Sequence, residues 1–197
     1  MRLGLIGPAH DNAQALERAI EMLMADPDVR QVIYLGDDGG ADQVVESWSQ
    51  RYIDDEQFLD RGARLACAGS AGEIDGLLAD QSAAARLWAI RRLPDPPARA
   101  IEMMDKWLVL AVHDKAVLDE DDISNAHIIV YGKSDKAGIK RFGPRSFFTP
   151  GPVDQGKVGL LELMPHGQLE LRILSLEGKV LVSETARATS ARVVVTE

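Results

Sequence analysis

Apolar and polar positions along the chain fall into two regimes. In the first half, short apolar runs alternate with stretches of helical period. Residues 2–6 read as a buried strand, residues 31–35 as a second and residues 64–68 as a third. Between the first two, Ala15, Leu16, Ala19, Ile20, Leu23 and Met24 recur on one helical face. Asp11 or Asn12 is placed to cap that helix, and Asp26-Pro27-Asp28 to stop it. Residues 42–51 predict a short helix. Residues 73–92, with Leu77, Leu78, Ala84, Leu87, Trp88 and Ile90, predict a long one that Pro94-Asp95-Pro96-Pro97 ends.

Beyond that proline cluster the pattern becomes strand-rich. Residues 98–104 and 107–112 read as a hairpin across Asp105-Lys106. Short strands are expected at 128–131, 138–142 and 146–149. A meander follows over 158–164, 169–174 and 179–182, turning at His166-Gly167 and Glu177-Gly178, and residues 192–196 carry the pattern of a last strand. Strand-helix alternation followed by a strand-rich half predicts an α/β fold of two packed sheets flanked by helices. The 197 residues suit one domain, residues 1–197.

Composition narrows the function classes. A formal net charge of −9 argues against nucleic acid as a partner, because that surface calls for clustered Lys and Arg. No apolar run is long enough for membrane insertion, and the N-terminus lacks the layout of a signal peptide. The lone Cys67 excludes an internal disulfide and suits a cytoplasmic location; its apolar surroundings predict core packing. The acidic run Asp119–Asp122 reads as a solvated loop or a helix's first turn. Trp48, Tyr52 and Phe58 form either an exposed aromatic patch or a face packed on a sheet.

The candidate chemistry lies at strand ends. Gly7-Pro8-Ala9-His10, Gly36-Asp37-Asp38-Gly39, Ala111-Val112-His113-Asp114 and Gly132-Lys133-Ser134-Asp135 each follow an apolar run. Carboxyl ends of strands are where open α/β sheets bind ligands, so these motifs are expected to converge. Taken singly each has a plain reading. The Gly36–Gly40 stretch suits an acidic turn, His10 a cap or core residue, His113 a strand end, His127 a strand start and His166 a turn. The glycines near the first strand do not form a dinucleotide fingerprint, and no phosphate loop is present.

Taken in order, these motifs make the chain resemble the calcineurin-like metallophosphoesterases, in the small phosphodiesterase branch that includes the retromer subunit Vps29. The resemblance covers roughly residues 1–165, and Arg141-Phe142-Gly143 leading to Thr149-Pro150-Gly151-Pro152 resembles that family's closing turn. It implies a site in which two divalent ions clamp a phosphoryl group and activate a water. Pro8 stands where the family has an aspartate, Ser70 where it has an asparagine, and Lys133 and Asp135 where it has two histidines. His10, Asp37 and His113 match the family's ligands. The resemblance thus leaves His10, Asp37 and Asp135 for a first metal, Asp37 and His113 for a second, and Lys133 beside Asp37 where the second ion would sit.

An ammonium beside a buried carboxylate neutralises it in a metal's place. The expected function is a metallophosphoesterase-fold protein without the two-metal site, acting as a protein-binding or regulatory module and needing no cofactor. The alternatives are a hydrolase with one divalent metal (Mn, Fe, Ni or Zn) and His113 as acid, or a metal-free pocket binding a phosphate through Lys133 and Lys136. An unidentified protein partner is expected, homo-oligomers are allowed, and the binding surface is not legible.

Overall fold

The computed structural model describes residues 1–52 and 58–187. Strand β1 (Arg2–Ile6) leads to helix α1 (Ala13–Met24), whose N-terminus Asn12 caps by accepting a bond from the Ala15 amide. Strand β2 (Val29–Tyr34) and helix α2 (Gly40–Tyr52) repeat the unit. Helices α3 (Phe58–Ala68) and α4 (Ala71–Leu87) come next, then a three-residue strand, β3 (Ile90–Arg92). The hairpin of β4 (Ala100–Met104) and β5 (Trp107–Val112) precedes α5 (Glu120–Asn125) and β6 (Ile128–Tyr131). Strands β7 (Gly138–Phe142), β8 (Arg145–Thr149), β9 (Lys157–Leu163), β10 (Leu169–Ser175) and β11 (Val180–Thr185) complete the described chain.

These strands form two sheets, of order β11-β10-β9-β1-β2-β3 and β4-β5-β6-β8-β7. Alternation along each strand sorts side chains between layers. Leu3, Leu5, Ile33 and Leu35 of the first sheet meet Val109, Ala111, Ile128, Val130 and Phe148 of the second in one apolar core. The opposite parity, Ile6, Val32, Tyr34 and Leu160, packs under α1 and α2. Leu110 and Ile129 face outward toward α5. The result is the expected pair of packed sheets with helices outside.

Three expectations are corrected. Residues 64–68 are not a strand but the last turns of α3, because Arg64-Leu65-Ala66-Cys67-Ala68 suits a helix as well as a strand. The third strand is instead β3, parallel to β2 with Ile33 beside Arg91. It was hidden inside the predicted 73–92 helix, which ends at Leu87. Cys67 is exposed on α3 and is not core. Trp48 is buried against α1 and the first sheet, while the side chains of Tyr52 and Phe58 and the expected strand at 192–196 lie outside the described residues. The acidic run caps α5, with Asp119 and Asp122 bonding each other's amides.

Candidate functional site

The carboxyl ends of β1, β2 and β3 meet those of β5, β6 and β8 along one end of the sandwich. The approach is of backbone to backbone. A Cβ on Gly7 would stand 1.8 Å from the Gly151 carbonyl oxygen, and one on Gly132 would stand 2.1 Å from the Leu35 carbonyl oxygen. Only glycine allows these loops to touch. The Lys133 amide donates to the His113 carbonyl at 2.7 Å, and the Val153 amide to the Pro8 carbonyl at 3.0 Å, so the loops are also bonded together.

Below them lies a polar strut built on a buried hydroxyl. The Tyr34 hydroxyl donates to Asp38 Oδ1 at 2.6 Å and accepts from the Ala9 amide at 2.9 Å. Burial raises the Tyr34 hydroxyl far above its ordinary range, and its bond to Asp38 raises it further. Burial pushes the Asp38 carboxyl upward, but it is outweighed by bonds from Tyr34 and the backbone amides of Gly40 and His10, which hold the group low. Tyr34 thus joins the first two loops, through the Ala9 amide on one side and Asp38 on the other.

His113 is oriented from both sides. Its Nδ1 donates to the Leu35 carbonyl at 2.8 Å, which turns Nε2 toward Asp37 Oδ2 at 3.3 Å. This juxtaposition of Asp37 and His113 is as the resemblance implied. Lys133 is not where it was expected. Its Nζ lies 2.6 Å from Asp114 Oδ2 and its side chain is 66% exposed, so it partners Asp114 rather than Asp37. The bond holds the Lys133 ammonium above and the Asp114 carboxyl below their ordinary ranges, with Asp37 adding a weaker pull on Lys133.

The remaining candidates disperse. His10 is 60% exposed and faces Asp154, with Nδ1 to Oδ2 at 3.5 Å. Its backbone and that of Asp11 are left-handed, at φ 48° and 66°, reversing the chain into α1. Asp135 is exposed, and its carbonyl accepts from Gln155 Nε2 at 2.8 Å. Pro8 is buried and offers no side-chain donor. Ser70 is corrected outright: it follows α3, not a strand, and caps α4, its hydroxyl donating to Glu73 Oε2 at 2.8 Å while the Glu73 amide donates back. Among the described residues, no three His, Cys, Asp or Glu side chains come together as a metal-ligand group. The donor set does not fit a two-metal centre.

What the strand ends do build is a cleft of about 110 Å³ between the two sheets. Asp37, Asp42, Arg92, Asp95, His113 and Asp114 line it above apolar side chains. Arg92 reaches Asp42 at 3.4 Å and Asp95 at 3.3 Å. Sequence reading missed Arg92 and Asp95, because it placed the third strand in α3, and it missed the cleft role of Tyr34. The signal was present: Leu93 precedes Pro94, and a residue before proline favours extended backbone.

Solved structures share the fold. A predicted phosphoesterase from Streptococcus pneumoniae aligns with a TM-score of 0.55 at 14% identity, over 93% of this chain and 95% of that one. YfcE, a phosphoesterase from E. coli, aligns at 0.52 and 16% identity, over 93% and 98%. A variant of Vps29 from Entamoeba histolytica aligns at 0.52 and 14% identity, over 94% and 98%. No protein-family model and no curated protein matches the sequence.

Proposed function

We propose that this chain, which has the calcineurin-like metallophosphoesterase fold, no longer runs two-metal hydrolysis and works as a protein-binding or regulatory module. Its fold neighbours include phosphoesterases and Vps29 alike, so the pocket residues carry the choice. The carrying observation is that the site carboxylates face single protein side chains rather than a gathered set of metal donors. Asp37, which the resemblance makes the metal bridge, faces His113 Nε2, and Asp114 holds Lys133. Two-metal chemistry needs those carboxylates free to bridge ions and a full set of neutral donors around them. Pro8 supplies none, Ser70 stands on another element, His10 turns to Asp154, and Asp135 lies exposed on its loop. A single divalent ion would have to displace the His113 contact and recruit donors that stand apart.

Metal content and turnover test this reading together. Protein purified without chelator is expected to carry well under about one equivalent of Mn, Fe, Ni or Zn by elemental analysis. It is expected to leave a generic phosphodiester uncleaved in excess Mn²⁺. Stoichiometric metal with turnover that disappears in His113→Ala would overturn the proposal in favour of a one-metal hydrolase.

A further inference from the structure

The cleft has a chemical bias that the binding reading leaves unnamed. Its floor is Tyr34, Ala41, Leu93 and Val112, each more than nine-tenths buried. Around this apolar base stand the carboxylates of Asp37, Asp42, Asp95 and Asp114. The lining sets one guanidinium against them, Arg92, and Asp42 and Asp95 share it. Lys133 reaches the rim from the next strand end but is engaged by Asp114. Among the described residues, Asp37 forms no ion pair with a Lys or Arg, and Asp95, at 89% exposure, is only loosely held.

Two features decide what fits. No three of these acids gather closely enough to ligate one ion, so the negative charge is spread along the walls rather than focused on a point. A cation whose charge is spread over several N–H donors answers that layout better than a bare metal. The cleft's roughly 110 Å³ also falls short of the roughly 300–1,000 Å³ of pockets that enclose whole metabolites. It takes one chain-like group, with methylenes over the apolar floor and a charged head at the rim. A phosphate dianion without metal meets like charge here and is disfavoured.

Resting on the binding-module reading, we propose that the cleft receives a guanidinium or primary ammonium carried on an alkyl stem. An Arg or Lys side chain of a partner protein has that chemistry, and so does a free diamine. Proton–nitrogen NMR spectra of the full chain test it, read at the amides of Ala41, Leu93 and Val112. The probes are agmatine, N-acetyl-arginine N-methylamide, and the citrulline counterpart of the latter, which keeps the shape and loses the charge. The two cations are expected to shift these amides saturably, and the citrulline amide is not. Combined Asp37→Asn and Asp95→Asn should weaken binding by about fivefold, as should raised salt, because both carboxylates are solvent-screened.

Tighter binding of the blocked arginine assigns the site to a side chain, and tighter binding of agmatine to a free amine; either upholds the proposal. Equal shifts from the citrulline amide would overturn it. So would binding of inorganic phosphate where neither cation binds. Mn²⁺-dependent hydrolysis, measured separately, bears on the binding-module reading alone, so the two failures are distinguishable.

Discussion

At the residue scale, one hydroxyl and one imidazole organise the strand ends. Tyr34 is 1% exposed and serves two partners, the Asp38 carboxylate and the Ala9 amide. Tyr34→Phe leaves the Ala9 amide buried and unpaired, and should cost about 1–3 kcal/mol in urea unfolding near neutral pH. Asp38 gives that cost a pH dependence. Its carboxyl is held below the ordinary 3.8 in the fold, so its stabilisation is present above 3.8 and is lost as pH falls through the lower folded value. The difference between wild type and Tyr34→Phe should therefore narrow on acidification below about pH 4. A difference that stays constant down to about pH 2 would remove Asp38 as the partner. The family resemblance that motif order carries made His113 and Asp37 legible. The strut beneath them was not, because a tyrosine inside an apolar run signals packing before it signals a hydrogen bond.

Two elements changed places between expectation and structure. A five-residue run such as 64–68 cannot be assigned by period alone, and a three-residue parallel strand such as β3 has no period to read. This misplacement carried Ser70 into the site on paper and left Arg92 and Asp95 out. Ser70 instead closes a reciprocal cap with Glu73, whose carboxyl the Ser70 amide and hydroxyl hold below its ordinary range. Ser70→Ala should lower helix stability by about 1 kcal/mol, read as faster amide exchange in α4. Ser70→Asn keeps a good cap and should change neither that exchange nor metal content. Acquisition of Mn²⁺ by Ser70→Asn would restore the family position to Ser70.

The whole molecule depends on how closely the two sheets meet. Their inner faces share one apolar core, but the register at the site end is set where Gly132 backs onto the Leu35 carbonyl. Gly132→Ala would push a methyl into backbone that has no rotamer to yield, and should cost about 2–4 kcal/mol. Thermal unfolding should fall by roughly 4–16 °C in a chain of this size. Because Leu35 also accepts from His113, the same substitution should disturb the Asp37–His113 contact, visible as shifted His113 imidazole resonances. Unchanged unfolding would show that the sheets slide apart cheaply and that the contact is incidental. Among the described residues no helix is long and apolar enough to cross a membrane.

Read by itself, the sequence determined the buried faces of β1, β2, α1 and β5, since period and alternation are local properties of the chain. It therefore placed β1, β2, α1, the β4–β5 hairpin and the later strands through β11, and the family resemblance paired Asp37 with His113. Tertiary structure alone decided which charges meet. Lys133 goes to Asp114, His10 to Asp154, and Arg92 to Asp42 and Asp95, pairings that depend on the ångström-scale spacing of loops from two different sheets. Coulomb and hydrogen-bond energies change over such distances, whereas hydrophobic burial does not discriminate among them, and the pattern of apolar residues records only burial.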